Sequence, residues 1–375
     1  MRAIRIIFIA TLALLMLIPG TQMIYPFVDI PILQENRRLA QFPDLLSKIT
    51  AGDGKLSKDI NKWFDDNMGF RPILTRVANQ LDYSLFHHSK LVEIGADGWF
   101  HDNTWISHQV VRERNGDRTL EESKKQFDAL ADYLDRRGVK LVILSVPLSA
   151  TLYPNSLGPT APQFERPTQF QRLREFLKSK NNRWIYIDGI DVLTPYRDRK
   201  IWFKLDHHFT PLAAYHVSRA LIARLSQHES RPDPWDHVFE WERKPAGGAF
   251  LRYLSILTPL SESYETPNRA SSYDEHNPPP YHVVTRNAGR FELILENRGP
   301  RQNKFAPGIL FGNSYADFLT PLGVYDYFSK LYRIRGNVND LGPALKELPP
   351  DIRYFIVQFI EPWFDGIAFA ELPRE

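Results

Sequence analysis

The chain contains no cysteine in its 375 residues. Disulfides, thiolate metal centres and cysteine nucleophiles are therefore excluded. It also lacks any dense run of lysine and arginine, and its formal net charge is only +3, so the charge footprint of a nucleic-acid-binding protein is missing. No internal repeat or low-complexity tract occurs. With 43% hydrophobic and 24% charged residues, the composition is that of a globular protein large enough for one main domain and a smaller element.

Residues 1–25 predict a signal peptide or a membrane anchor. Arg2 and Arg5 precede an apolar run from Ile6 to Ile18 that only Thr11 interrupts. A charged leader before an apolar core is the layout of an export signal, and about 19 residues are just enough to span a bilayer. No small-residue cleavage site follows, which favours an anchor over a cleaved signal; a buried core helix is the third interpretation. The positive-inside rule then keeps Arg2 and Arg5 in the cytoplasm and sends the remaining chain across the membrane, where a periplasmic location is expected.

Residues 26–90 are predicted to form a helical N-terminal segment. Apolar residues between Leu74 and Leu85 recur at three- and four-residue steps, the spacing of an amphipathic helix. The stretch 67–72 contains a glycine and a proline, which end one helix and open the next.

Residues 91–375 are predicted to form an α/β domain. A helix from Thr119, expected as its cap, leads into a nearly continuous apolar strand at 139–147, as in a parallel sheet covered on both faces. A helix at 164–180 and a strand at 184–188 follow, and this alternation predicts a layered parallel sheet. Residues 228–305 form an insertion with a hairpin at 281–296, which either flanks a substrate groove or is only structural.

The segment Trp202–Pro211 brings an acid and two histidines together. An aspartate two residues before a histidine can accept the imidazole Nδ1–H, which leaves Nε2 available as a base. Ser314 is the candidate nucleophile because it lies between an apolar strand and a helix-like segment. There its backbone N–H can help to bind an oxyanion. Asp206, His208 and Ser314 therefore predict a hydrolase-type triad.

Other interpretations of these residues stay open. Asp206, His207 and His208 could ligate a metal, although no third histidine stands at a recognised spacing such as H-E-x-x-H. The cluster could instead cap the following helix, and Ser314 could be a helix N-cap. Four further histidines are expected to be solvated polar side chains: His87, His88, His101 and His108.

Six motifs follow the leader along the chain: Glu35 to Arg38, Phe64 to Arg71, Gly95 to Phe100, Val146 to Ser149, Asp206 to Thr210 and Gly312 to Tyr315. In these motifs the chain resembles the SGNH-hydrolase-like family of periplasmic polysaccharide O-acetyltransferases, the type found in alginate acetylation, and the related DHHW-motif proteins. As in that family, Asp-x-His precedes the serine motif, the reverse of the usual SGNH order. The resemblance implies a three-layer α/β/α domain with Ser314 as nucleophile, His208 as base and Asp206 as the acid that orients it.

The chain departs from the family pattern at four positions. Asn313 and Tyr315 stand where the family commonly has Asp and Phe around the serine, Phe209 stands where Trp is common, and Ser149 replaces a frequent lysine. These departures leave the triad intact and bear on the substrate groove. Two asparagines are candidates for the oxyanion hole: Asn337 and Asn339.

The resemblance implies an O-acetyltransferase that moves an acetyl group onto hydroxyls of an exported polysaccharide through a serine acyl-enzyme. Its expected partners are a polysaccharide or oligosaccharide acceptor and an acetyl donor delivered through a membrane-bound O-acyltransferase. No cofactor and no metal are expected. The alternatives are a carbohydrate acetylesterase, and a non-catalytic polysaccharide-binding or assembly protein that grips glycan with its aromatic-rich 228–305 region.

Overall fold

The computed structural model describes residues 2–33, 38–52, 54–159, 162, 167–180, 182–268, 282–299, 303–369 and 371–373. Its α-helices are α1 Arg2–Ile24, α2 Leu45–Thr50, α3 Leu56–Asn67, α4 Arg71–Phe86, α5 Asn103–Arg114, α6 Arg118–Asp135, α7 Ser149–Leu152, α8 Gln169–Ser179, α9 Gly189–Leu193, α10 Pro211–His228, α11 Phe250–Leu254, α12 Ser314–Asp317 and α13 Leu341–Leu345. Its strands are β1 Val92–Ile94, β2 Phe100–Asp102, β3 Lys140–Val146, β4 Ile185–Asp188, β5 Trp241–Ala246, β6 Glu262–Pro267, β7 His282–Ala288, β8 Phe291–Asn297, β9 Gly308–Gly312, β10 Lys330–Arg335 and β11 Tyr354–Ile360. The motif residues Glu35, Asn36 and Arg37, the predicted helix start Phe164 and the predicted strand start Tyr281 lie outside the described residues.

Contacts between Cα atoms divide the chain into two compact units. The smaller unit comprises Met1–Val92 and the excursion Ala249–Leu260. The larger unit comprises Glu93–Gly248 and Ser261–Glu375. The larger unit contains the residues predicted for the site.

The larger unit is built on a seven-stranded sheet of order β4-β3-β11-β9-β10-β8-β7. The five strands from β4 to β10 pair in parallel, and β8 and β7 continue the sheet in antiparallel pairing. The sheet is therefore the layered, mainly parallel α/β arrangement that the sequence predicts. In such sheets ligands bind outside the carboxyl ends of the parallel strands, which is where β9 ends at Gly312.

Helices cover both faces of this sheet. Alternate residues of β3 point to opposite sides, so that Val142 and Leu144 pack in one apolar cluster while Leu141 and Ile143 pack in another. Helix α10 contributes to the first cluster, and α6, α8 and α13 contribute to the second. Because both faces are buried, the strands read as unbroken apolar runs, as the sequence predicted.

Two local expectations differ from the structure. Helix α6 begins at Arg118 after Asp117, so Thr119 lies inside the helix and does not cap it. The hairpin predicted inside the 228–305 insertion forms β7 and β8, which extend the main sheet and do not leave it. Helix α1 continues through Pro19 to Ile24; among the described residues it is the one helix long and apolar enough to cross a membrane.

Candidate active site

Ser314 is the first residue of α12, directly after β9 and the single residue Asn313. The side chain of Asn313 caps the new turn, since its Oδ1 accepts a hydrogen bond from Tyr315 N at 3.1 Å. The cap interpretation therefore applies to Asn313 and not to Ser314. This arrangement leaves the Ser314 hydroxyl at the carboxyl edge of the sheet, partly buried.

Two polar side chains from neighbouring strands hold this turn. Arg333 of β10 is almost fully buried; it donates hydrogen bonds to the carbonyls of Gly312 at 3.0 Å and Asn313 at 2.8 Å, and it pairs with Asp317 at 2.7 Å. Gln358 of β11 accepts a hydrogen bond from Asn313 N at 3.2 Å. An added Cβ at Gly312 would lie 2.6 Å from the Gln358 Oε1 atom, so only glycine fits there. The position of Ser314 is thus set by strands that lie far from it in sequence.

The segment that carries Asp206 and His208 is a turn closed by a bridge between Trp202 and Phe209. The buried carboxylate of Glu262 accepts hydrogen bonds from Lys204 N at 3.0 Å and Leu205 N at 2.8 Å. These bonds satisfy backbone N–H groups that the turn cannot pair within itself. Glu262 therefore stabilises the turn without taking part in the predicted triad.

The structure brings the three predicted site residues together. The Asp206 Oδ1 atom lies 2.8 Å from His208 Nδ1 and accepts a second hydrogen bond from His208 N at 3.0 Å. On the other side of the ring, His208 Nε2 lies 2.7 Å from Ser314 Oγ. With Nδ1–H donated to Asp206, Nε2 carries the lone pair that can accept the serine proton. The arrangement can therefore activate a hydroxyl for attack on a carbonyl carbon.

The carboxylate of Asp206 is kept ionised by its surroundings. Burial alone raises the pKa of this group, but the hydrogen bonds from the His208 ring and backbone, together with the positive potential of His208 and His207, outweigh burial and lower the pKa of Asp206 to about 2. Hydrogen bonds to the charged form of an acid favour that form. Asp206 is therefore a permanent anion at neutral pH, able to stabilise a protonated imidazole beside it.

His207 takes part in packing. Its ring lies 5.2 Å from the ring of Trp105 in an edge-on contact. Its carbonyl accepts hydrogen bonds from Trp202 Nε1 at 3.2 Å and from the Tyr315 hydroxyl. Tyr315 follows Ser314 directly, so its hydroxyl links the turn that carries the histidines to the helix that carries the serine.

The aspartate and two histidines also form a group that could hold a metal ion, since their ligand atoms lie within 4.8 Å of one another. In the arrangement seen here, however, both ring nitrogens of His208 have hydrogen-bond partners, Asp206 and Ser314. Neither nitrogen therefore directs a lone pair at a site shared with His207. The donor set fits a metal less well than it fits a relay to Ser314.

Sequence reasoning misjudged or missed several polar residues. His101, expected to be solvated, is buried, with Nε2 at 3.1 Å from Ser156 Oγ and Nδ1 at 3.3 Å from Ser149 Oγ. Burial, opposed only by a backbone hydrogen bond with Ser156, lowers the pKa of His101 to about 4. The backbone N–H of Asn337 donates to the Asp340 carboxylate at 2.8 Å within its own turn, and the side chain of Asn339 lies outside those described.

The three supporting residues of the site carried a signal that was overlooked. Arg333 is a charged position between Tyr332 and Ile334 of β10, Gln358 is a polar position in the apolar run of β11, and Glu262 opens a strand within the supposed insertion. A polar side chain in a buried strand is costly unless it is paired. Such residues can therefore be suspected from sequence, although their partners cannot be named.

Comparison with known proteins shows that residues 92–278 match the family described as "SGNH hydrolase-like domain, acetyltransferase AlgX". The chain is 29% identical over 180 residues to the probable alginate O-acetylase AlgJ of Pseudomonas aeruginosa, covering 47% of this chain and 44% of that protein. It is 24% identical over 273 residues to the protein of the same name from Azotobacter vinelandii, covering 70% of this chain and 64% of that protein. The chain thus spans less than two thirds of either relative. A structure of the O-acetyltransferase domain of Pseudomonas putida AlgJ aligns with a TM-score of 0.48 at 17% identity, covering 73% of this chain and 92% of that chain.

The family match begins at β1 and includes Asp206 and His208, whereas Ser314 lies after the matched range. The five parallel strands of the sheet include β3 and β4, which lie within the matched range, and β9, β10 and β11, which lie after it. The family match and the fold together identify an SGNH hydrolase-like domain in this chain, similar to that of the acetyltransferase AlgX.

Proposed function

We propose that this protein is an O-acetyltransferase that uses Ser314 as nucleophile, His208 as general base and Asp206 as the acid that orients His208. The observation that carries the proposal is the continuous hydrogen-bond relay from Asp206 through His208 to the Ser314 hydroxyl, at 2.8 Å and 2.7 Å. The probable alginate O-acetylases to which the chain is similar support acetyl transfer as the reaction.

The first half-reaction forms an acetyl-enzyme. His208 Nε2 takes the proton of the Ser314 hydroxyl while Oγ attacks the carbonyl carbon of an acetyl ester. The tetrahedral intermediate collapses, the donor alcohol leaves with the proton from His208, and the acetyl group stays on Ser314. The Ser314 N–H, at the start of a helical turn, is our candidate for one oxyanion donor.

The second half-reaction transfers the acetyl group to a hydroxyl of an exported polysaccharide. The acceptor hydroxyl gives its proton to His208 and attacks the acetyl carbon, and Ser314 leaves as the hydroxyl after taking that proton back. If water replaces the sugar hydroxyl, the same steps make an acetylesterase. We infer that an acetyl donor reaches the site through a membrane-bound O-acyltransferase.

We further propose that the enzyme acts on the periplasmic side of the cytoplasmic membrane and is held there by α1. Arg2 and Arg5 lie at the first turn of this 23-residue apolar helix. Basic residues before such a helix stay in the cytoplasm. The larger unit would then be exported, where the polysaccharide is.

The test uses the purified full chain with a nitrophenyl acetate donor, with and without an oligosaccharide acceptor. Release of nitrophenol and acetyl incorporation into the oligosaccharide should both require Ser314. Ser314→Ala should abolish both, and mass spectrometry should find an acetylated Ser314 only in the wild type. Ser226→Ala is the matched control, because Ser226 is a buried serine of α10 that bonds to the Ile222 carbonyl.

The outcomes separate the candidate functions. Acetylated oligosaccharide marks a transferase, and nitrophenol release with free acetate alone marks an esterase. Full activity of Ser314→Ala would contradict the proposal. Glycan binding without acetyl chemistry in the wild type would favour the binding protein, and loss of activity with chelators would favour the metal site.

A further inference from the structure

Helix α4 of the smaller unit exposes its apolar side. None of its 16 residues is buried. Leu74 and Leu81 are each 51% exposed and Leu85 is 65% exposed. The exposed residues recur at helical spacing and form a single stripe along α4, here called the α4 stripe: Ile73, Leu74, Val77, Ala78, Leu81 and Leu85. On the surface of a water-soluble domain, an apolar stripe of this kind normally packs against the protein core.

Hydrogen bonds on the polar side of α4 account for this orientation. Asn79 donates to the Leu254 carbonyl at 2.8 Å, and Gln80 Oε1 accepts from Thr258 N at 2.9 Å. Arg76 donates to the Pro31 carbonyl at 2.9 Å. The polar side is thus engaged by two other segments of the same unit. These hydrogen bonds therefore keep the α4 stripe on the outside of the unit.

Helix α4 begins beside the last turn of α1. At Gly69, two residues before α4, an added Cβ would lie 2.2 Å from the Pro19 carbonyl oxygen and 2.7 Å from Gln22 Cβ. A helix of 23 residues is about 34 Å long, close to the thickness of the hydrocarbon core. When α1 spans a bilayer, its last turn lies near the water interface. The start of α4 is then at the same depth.

Exposed apolar side chains are concentrated in the smaller unit. Besides the α4 stripe, Phe42, Leu46, Ile49 and Phe64 are also exposed there. In the described part of the larger unit, large exposed apolar side chains are scattered: Val111, Val238, Val283 and Trp363. Scattered apolar residues need no explanation, whereas a contiguous apolar surface marks an interaction site.

We propose that the α4 stripe lies in the interface of the bilayer that α1 spans, with its apolar side chains inserted among the lipid headgroups and upper acyl chains. The smaller unit would then be anchored to the membrane by two elements, the spanning helix α1 and the interfacial helix α4. The lipid is favoured over a protein occupant because α4 begins beside the last turn of α1, whose apolar window of membrane-spanning length is not buried by the described chain. The inference rests on α1 being retained.

The absence of cysteine in the native chain allows a direct test, because a single introduced cysteine carries a fluorophore to one known place. The full chain is reconstituted in phosphatidylcholine vesicles with a label at Leu81→Cys. Leu14→Cys in α1 reports insertion of the anchor, and Val238→Cys, at 88% exposure in the larger unit, is the water-facing control. Quenching is measured with iodide from the water and with a phospholipid that carries a nitroxide near its headgroup.

We expect the Leu81 label to be quenched by the nitroxide lipid at least about twofold more than the Val238 label, and by iodide correspondingly less. Equal iodide quenching at Leu81 and Val238, with Leu14 in lipid, would overturn the inference while leaving the anchor intact. Protection of Leu81 from both quenchers, increasing with the protein-to-lipid ratio, would identify a second copy as the occupant and also overturn it. Acetyl-ester hydrolysis by the same labelled proteins reports the proposed reaction independently.

Discussion

Replacing Asp206 with asparagine tests the acid of the proposed triad, and the structure sets the size of the effect on stability. The pKa of Asp206 falls from 3.8 to about 2 in the folded chain, and one pKa unit corresponds to about 1.4 kcal/mol. The folded state is therefore stabilised by about 2 kcal/mol at neutral pH through this carboxylate. Asparagine keeps one acceptor for the His208 N–H, so we expect the free energy of unfolding to drop by roughly 1–2 kcal/mol.

The pH dependence of that loss identifies its cause. Because the folded pKa of Asp206 is depressed, its contribution is fully present above the unfolded value of 3.8 and is lost as the pH falls toward about 2. The difference between wild type and Asp206→Asn should therefore be constant from neutral pH to about pH 4 and should shrink below it. Denaturant unfolding followed by tryptophan fluorescence at a series of pH values measures it. A difference that stays unchanged down to pH 2 would show that packing, and not the charge, is responsible.

The same substitution should also slow acetyl transfer. An amide can present its NH2 group to His208 Nδ1, which favours the tautomer whose Nε2 carries a proton and cannot act as a base. We expect the rate of acetyl-ester cleavage to fall roughly 10²- to 10³-fold. The measurement is steady-state hydrolysis of nitrophenyl acetate by folded protein at neutral pH. Retention of more than about a tenth of the activity would refute the role given to Asp206.

Further predictions concern the adjacent histidines, the tyrosine beside the nucleophile and the leader. His208→Ala should reduce acetyl transfer about a thousandfold or more, whereas His207→Ala should cost far less because its ring packs on Trp105; the reverse order in the same assay would break the Asp-x-His assignment. Tyr315→Phe removes the hydroxyl that binds the His207 carbonyl and should lower the free energy of unfolding by about 1 kcal/mol with only a several-fold loss of rate; an unchanged denaturation midpoint would argue against that bond. A phosphatase fused after Tyr25 should be active and a cytoplasmic reporter at the same point inactive, and the opposite pattern would exclude export.

Local sequence patterns determined much of this fold. The strands β3 and β9 could be located as apolar runs because a parallel sheet covered on both faces needs no polar alternation. The Asp206 and His208 pair could be recognised because two residues of separation allow an aspartate to reach its neighbour's ring within one turn. Family resemblance then implied the SGNH-like architecture and supported the link to Ser314, which its position between a strand and a helix had already indicated.

Other features depended on contacts between distant segments, which no local pattern records. The spacing of apolar residues in α4 was correctly read as helical, yet the direction of its stripe was decided by hydrogen bonds to 249–260, a segment that lies far along the chain. Likewise Arg333 and Gln358 hold the turn before Ser314 only because β10 and β11 flank β9 in the sheet. Most helices and strands and the Asp-x-His turn could be predicted from the chain, since they follow from local spacing. Which faces meet and which buried polar groups find partners could not be predicted, because burial and pairing depend on the segments that the fold places next to each other.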